Sequence, residues 1–360
     1  MTTAIHAGDC LTLLPTLPAT TVDAVVTDPP YGLGFMGKAW DHGVPGVPFW
    51  VETLRVMKPG SYLLAFGGTR TFHRLTCAIE DAGFEIHDAI SWLYGSGFPK
   101  HISKLKPGWE PIILARRPAE RATPLNIDAC RLSVADDGYA RNHSGDRGHA
   151  GTRAIEDRGA TDIRAGGGSA STLGRWPANV LLDEEAAEML DAQSGTLTSG
   201  AWDGKRNAPK TAGIYGAFRH GTKDENGAAG DSGGASRFYY CAKASRTERN
   251  AGLDGHAEKP LLWSAGTQSP GTFQSPNTHR AAKNHHPTVK PVDLMQWLCR
   301  LVTPKGGTVL DPFCGSGSTG RAAVAEGFSF IGIELDPEYA AIARARIADY
   351  AALFHDPEAA

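Results

Sequence analysis

Over both ends of this chain, short β-branched apolar runs alternate with stretches whose apolar positions fall three or four residues apart. That is the rhythm of strand–helix units. Thr3–Ala7 reads as a strand ending at Gly8-Asp9, and Leu11, Leu13, Leu14 and Leu17 follow in a short helix or turn. Val22–Val26 reads as a buried strand that stops at Thr27-Asp28-Pro29-Pro30-Tyr31-Gly32. A helix over Phe49–Met57 is closed by Lys58-Pro59-Gly60, a good stop signal. Strand Ser61–Phe66, helix Arg70–Ala82, strand Phe84–Tyr94 and strand Pro111–Ala115 complete the first part. In the last part, Pro291–Val302 is a helix with Leu294, Trp297, Leu298 and Leu301 on one side. Strand Thr308–Leu310, helix Arg321–Glu326, strand Phe328–Ile333 and helix Tyr339–Leu353 follow. The two distant ends are expected to complete one sheet.

Between them the pattern fails. Residues 141–174 and 194–236 are rich in Gly, Ala, Ser and charge without apolar periodicity, and read as long loops. Trp176, Trp202, Phe238, Tyr239 and Tyr240 are expected to form the core of a small domain there.

Composition narrows the class. With 36 basic and 39 acidic residues the formal charge is −3, which excludes a histone-like polyanion binder but not a locally basic face. At 41% hydrophobic and 21% charged the chain is an ordinary globular one. The start, MTTAIHAGDC, has neither a basic n-region nor an apolar h-region, and no apolar run approaches the roughly 18 residues of a membrane span. A cytoplasmic, nucleoid-associated protein is expected, with no membrane. Six scattered cysteines without a C-x-x-C point to neither disulfides nor a metal site. The pair His285-His286 reads as solvated loop histidines.

Two segments carry chemistry. Gly315-Ser-Gly317-Ser-Thr-Gly320 fits G-x-G-x-x-G, follows a strand, opens a helix, and is followed by Glu334 at the end of the next strand. That arrangement suits a nucleotide-like ligand: glycines admit close backbone approach and the acid takes ribose hydroxyls. A nicotinamide-dependent oxidoreductase would use the same loop. Asp28-Pro29-Pro30-Tyr31-Gly32 is sharper. Two prolines remove two N–H donors and fix the backbone, leaving a stiff edge of acceptors beside one aromatic ring, suited to gripping an amino group on a planar base.

Together and in this order, the segments resemble the DNA amino-methyltransferases that use S-adenosylmethionine, nearest to their permuted β class and to its phage and prophage members. The resemblance rests on TDPPYG (27–32), HPTVKP (286–291), VLDPFCGSGSTG (309–320) and IGIELDPEY (331–339). Gly8-Asp9-Cys10 and the segments GWEPIILARRP (108–118), GRWPANVLLD (174–183) and FYYCAKASRTER (238–249) are similar as well.

The resemblance implies a Rossmann-like α/β fold, circularly permuted, with a mostly parallel sheet, helices on both faces and an inserted recognition region. It divides the chain into a catalytic half at 1–118, a target-recognition region at 119–285 and a cofactor-binding half at 286–360. It implies Asp28, Pro29, Pro30 and Tyr31 as the catalytic hook, with Tyr31 stacking on an extruded base. Phe313, Gly315, Ser316, Gly317 and Asp311 would cradle S-adenosylmethionine. Glu334 would sit at its ribose, Asp9 near its adenine amino group and Lys290 near its methionine end, with Cys10 and Leu335 also binding it and Asp28 facing either its ammonium or the target amino group. Double-stranded DNA is the implied partner and a homodimer the class's common assembly. Cys314 reads as packing within the glycine loop, since no cysteine follows a proline as a C5-cytosine nucleophile would. Lys38, beside Trp40, could reach a phosphate. Arg141, Arg147, Arg153, Arg158, Arg164 and Arg175 could contact phosphates or guanine edges. Because the motif begins with Asp, adenine N6 is the expected target; cytosine N4 is the first alternative.

Overall fold

The computed structural model describes residues 1–34, 41–95, 97, 105–121, 123–132, 175–198, 232–242, 247–260 and 281–355. Lys38, Trp40, Phe98, Trp202 and Arg141, Arg147, Arg153, Arg158 and Arg164 lie outside them.

In chain order the elements are β1 (Thr3–Ala7), α1 (Cys10–Leu13), β2 (Val22–Thr27), α2 (Val47–Val56), β3 (Met57–Phe66), α3 (Phe72–Asp81), β4 (Glu85–Leu93), β5 (Trp109–Arg116), β6 (Val180–Asp183) and α4 (Glu184–Ser194). They continue with β7 (Leu197–Thr198), β8 (Ser232–Gly233), β9 (Tyr240–Ala242), β10 (Lys259–Pro260), β11 (Ala281–Ala282), α5 (Val292–Val302), β12 (Thr308–Asp311), α6 (Ser318–Ala325), β13 (Ser329–Glu334) and α7 (Pro337–His355). The chain divides into two compact units, Met1–Cys130 with Asn179–Ala186 and Cys241–Ala360, and Arg131–Ala178 with Ala187–Tyr240.

The first unit is built on a sheet ordered β1-β13-β12-β2-β3-β5-β4-β6-β9. The first five strands of that order run parallel, and β5 runs antiparallel to both β3 and β4. The expectation that distant chain ends share a sheet holds: β2 pairs with β12, and β1 with β13. Parallel strands need both faces covered, and alternation along each strand provides for it. Val25, Leu63, Ala65, Ile113, Leu310 and Ile333 form one core with Trp50 and Val56 of α2 and Leu75 and Ile79 of α3. The intervening residues meet α5, α6 and α7, as Phe330 does beside Gly320 and Ile347. This is a Rossmann-like α/β architecture with the chain permuted.

One sequence boundary moved. Lys58-Pro59-Gly60 ends helix α2 as expected, but strand β3 begins at Met57, before the stop signal rather than after it. Val22 pairs with Met57 and Ala24 with Tyr62, so the extra residues form a bulge in which Gly60 takes φ +80°. A bulge accommodates a proline without an N–H and a glycine of positive φ.

In the second unit, Leu132 and Arg175 form an antiparallel bridge, β7 pairs with β8, and Asp191 accepts hydrogen bonds from the amide and hydroxyl of Ser236 at 2.8 and 2.7 Å. The aromatic core expected here is not what Trp176 and Phe238 provide: they are 63% and 43% exposed. Each ring instead lies under a guanidinium, Arg131 above Trp176 at 4.7 Å and Arg237 above Phe238 at 4.3 Å. Arg175, expected as a DNA contact, is itself buried and donates to the Arg237 carbonyl. So little apolar area surrounds these rings that arginine stems and cation–π contacts replace a core.

Candidate active site

Because β1, β13, β12, β2 and β3 are parallel, their carboxyl ends lie along one rim, where ligands of open α/β sheets bind. Most expected site residues of the first unit follow one of these ends, Asp9 after β1, Asp28–Tyr31 after β2, Phe313–Ser316 after β12 and Glu334 at the tip of β13, while Lys290 stands just ahead of α5. They line one cavity of about 1000 Å³. The hook and the glycine loop therefore share a chamber, although they stand near opposite ends of the chain.

The glycine loop is held from beneath. Gly315 and Gly317 take φ +53° and +81°, the latter capping α6. A Cβ on Gly315 would lie 3.0 Å from the His286 ring. The Glu334 carboxylate accepts from the amides of Gly315 (2.7 Å) and Asp336 (2.9 Å), and burial raises its pKa. Buried Arg346 donates to the Ser316 carbonyl at 2.5 Å and to its hydroxyl at 3.0 Å. Phe313 is half-buried against Phe49, ring centroids 5.8 Å apart, and Trp50. Leu335 is exposed at the rim.

The histidine pair is not the solvated one expected. His286 is buried, its ring edge-on to Tyr339 with centroids 4.5 Å apart, and it lines the cavity. Burial pushes its pKa down to about 3, so the ring is neutral. The turn Asn284–Thr288 folds the pair inward, with Asn284 Oδ1 and Thr288 holding the His286 amide and Nδ1.

At the other acidic post, Asp9 caps α1 by accepting from the Thr12 amide at 3.1 Å, and Cys10 is buried behind it with its thiol pushed up to about 12. Cys314 is also buried, packed beside Gly332, as the sequence suggested. All six cysteines are free, and among the described residues no three acidic, His or Cys side chains are placed to hold a metal.

The hook is stiffened on every side. Asp41 caps the amides of Gly32 (2.8 Å) and Leu33 (3.2 Å), and the Thr71 hydroxyl donates to the Tyr31 carbonyl at 2.6 Å. The Asp28 carboxylate accepts from the Tyr31 hydroxyl at 2.8 Å and faces Lys290 Nζ at 3.2 Å. Burial raises the Asp28 pKa; Lys290 opposes this and Glu110 adds to it. Burial also works against the charge on Lys290, but Asp28 and Glu110 more than offset it and hold the ammonium protonated.

Glu110 escaped the sequence analysis. Its Oε2 lies 2.8 Å from Lys290 Nζ and 3.2 Å from the Tyr31 hydroxyl. An acid at the start of a strand looks like a solvent-facing residue. Only the antiparallel course of β5, with Ile112 opposite Phe66, carries Glu110 past the end of β3 to the rim.

With that geometry in place, comparison with known proteins identifies the group. A family model described as DNA methylase, the N6/N4 type, matches residues 22–345. The chain belongs to this N6/N4 DNA methylase family. It is similar to the DNA adenine methyltransferase YhdJ of Escherichia coli strain K12, 47% identical over 55 residues, or 15% of this chain and 19% of that one. The type II methyltransferase M.SfiI of Streptomyces fimbriatus is 24% identical over 93% of this chain and 89% of its own. The solved PvuII DNA methyltransferase, cytosine-N4-specific, superposes with TM-score 0.49 and 15% identity over 98% of this chain and 92% of that chain. The stretches matched above 40% identity span only 19% to 30% of the curated relatives' own length. No described helix of this methylase is long and apolar enough to cross a membrane.

Proposed function

We propose that this chain transfers a methyl group from S-adenosylmethionine to the exocyclic N6 of adenine in double-stranded DNA, acting on a base turned out of the helix. The observation that carries the reading is the single cavity lined by both the Asp28–Tyr31 hook and the Phe313–Ser316 loop.

S-adenosylmethionine supplies a methyl group already activated on a sulfonium, so the reaction calls for alignment more than for a protein nucleophile. The residues present suit that guest. The loop backbone at Gly315 is bare, and a Cβ there would press on His286 in a backbone conformation of positive φ that disfavours side chains. Glu334 offers a carboxylate for ribose hydroxyls, Phe313 an aromatic face, Asp9 an acceptor for the adenine amino group, and Asp28 a counter-charge for the ammonium.

At the hook, Asp28 and the Pro29 carbonyl accept from the two N–H groups of the target amine. An exocyclic amine is a weak nucleophile because its lone pair is conjugated into the ring. Two fixed acceptors favour the pyramidal nitrogen whose lone pair is free, and they stabilise the positive charge that develops there. The Tyr31 ring stacks on the base. Adenine is favoured because the hook begins with Asp where many cytosine-N4 enzymes begin with Ser, and because YhdJ is named for adenine.

Tritiated S-adenosylmethionine, duplex DNA and the purified chain test this directly. Nucleoside mass spectrometry is expected to find N6-methyladenine. N4-methylcytosine in its place would move the target to cytosine, and tight binding of a nicotinamide cofactor without methyl incorporation would end the proposal.

A further inference from the structure

We infer that Glu110 is a positioning residue that receives, through the Tyr31 hydroxyl, the proton that the target amine sheds on methylation. The inference rests on the methyl-transfer reading above and extends it to the proton that leaves as the nitrogen–carbon bond forms.

The balance of the reaction requires an acceptor. The amine's lone pair forms the new nitrogen–carbon bond, the carbon–sulfur bond breaks with its pair going to sulfur, and the nitrogen is left positive with one proton too many. A neutral methylamino product forms only when that proton leaves. The first acceptor in reach of the amine is Asp28.

The geometry supplies the next. The Tyr31 hydroxyl stands 2.8 Å from Asp28 Oδ1 and 3.2 Å from Glu110 Oε2. One phenolic proton thus faces two carboxylates. When Asp28 is protonated, Tyr31 can take that proton on its oxygen and hand its own to Glu110. The phenol is restored, Asp28 is again a carboxylate, and Glu110 has become a neutral acid.

Charge favours the same outcome. Lys290 Nζ lies 2.8 Å from Glu110 and 3.2 Å from Asp28, so among the protein's own groups one buried cation is shared by two anions. A proton on either carboxylate relieves their mutual repulsion. The remaining groups facing the pair are consistent with this. Asp311 adds negative charge near Asp28, Tyr94 lies within the field of Glu110 and Lys290, and Lys290 is held protonated and so is no acceptor. Glu110 is itself held in place: the ring of neighbouring Trp109 packs edge-on to Phe72 with centroids 5.7 Å apart.

The variant Glu110→Gln keeps the shape and removes the charge. The expected result is a single-turnover methyl-transfer rate lowered about a hundredfold, with DNA and cofactor affinities unchanged within about twofold. The acidic limb of its pH–rate profile moves to lower pH, because Asp28 no longer faces a second anion. Glu110→Asp recovers part of the rate. In a Tyr31→Phe background the Glu110→Gln effect disappears, since the relay is already cut. Wild-type rate with an unmoved limb in Glu110→Gln overturns the inference, as does a loss that follows weaker binding or persists undiminished beside Tyr31→Phe. A wild-type chain that incorporates no methyl group refutes the methyl-transfer reading instead.

Discussion

The Thr27 hydroxyl donates to the Asp311 carboxylate at 2.6 Å across neighbouring strands, although the two residues are 284 positions apart in the chain. Both are buried. Asp311 also accepts from the Thr319 hydroxyl at 2.7 Å and the Phe313 amide at 3.1 Å. One carboxylate thereby ties the strand that carries the hook to the loop and helix proposed to carry the cofactor.

Thr27→Val keeps the shape and deletes the donor to a buried carboxylate. A hydrogen bond to a charged group contributes about 1.5–3 kcal/mol. Urea unfolding is expected to register a loss in that range, and a change below about 0.5 kcal/mol, the scatter of an ordinary surface substitution, would show that the clasp contributes little.

Asp311 also links stability to pH. Burial pushes its carboxyl from 3.8 up to about 6, against the opposing hydrogen bonds of Thr27, Thr319 and the Phe313 amide. The folded chain therefore holds this proton more tightly than the unfolded one. Its contribution favours folding below about pH 4 and is lost as pH rises to about 6, a decline of about 3 kcal/mol. Asp311→Asn is neutral throughout. The stability of wild type minus that of the variant should fall across this window and level off above it; a difference independent of pH refutes the assignment.

Lys290→Met leaves Asp28 and Glu110 facing each other without their cation. Since Lys290 lowers the Asp28 pKa, its removal raises it further, and the acidic limb of the activity profile moves to higher pH. That is the opposite direction from Glu110→Gln. Two limbs moving the same way would contradict the charge arrangement described for this pair.

Asp28→Asn retains size and hydrogen-bonding capacity but not charge. Loss of the negative charge that offsets the developing positive charge costs about 10²–10³ in rate. Methyl transfer should fall by that much while the melting temperature holds or rises, because a buried anion has been removed. A variant with more than a tenth of wild-type activity would displace Asp28 from the chemistry.

Gly320→Ala tests the packing that seats the glycine loop. A Cβ at Gly320 would lie 2.2 Å from Ile347 Cδ1 and 2.6 Å from Phe330 Cε1, so these side chains or α6 must move. Overpacking of this kind costs about 1–3 kcal/mol. Chemical denaturation with no measurable change would mean that α7 gives way freely.

Sequence patterns carried β2, β3, β5 and β12 because their residues are largely buried on both faces. The same patterns placed Asp28, Phe313 and Glu334 at strand ends, and a parallel sheet then brought those ends together. Glu110 and His286 were missed for a shared reason: each looks polar and solvated in its own segment, and its burial comes from partners far away in the chain. Lys290 Nζ reaches Glu110 across 180 positions, and Tyr339 covers the His286 ring. Strands β6 and β9 emerged from a stretch without periodicity because VLLD and YCA are too short to show one. Trp176 and Phe238 misled in the other direction, since large rings suggest a core but here lie under arginines.

The permuted order also has a temporal side. A ribosome releases the aspartate–proline–proline–tyrosine turn well before β12 and β13. Until they do, β2 lacks a neighbour on one edge and β1 has no parallel mate. A chain stopped before β12 would thus carry the turn proposed to grip the base without the loop proposed to hold the methyl donor.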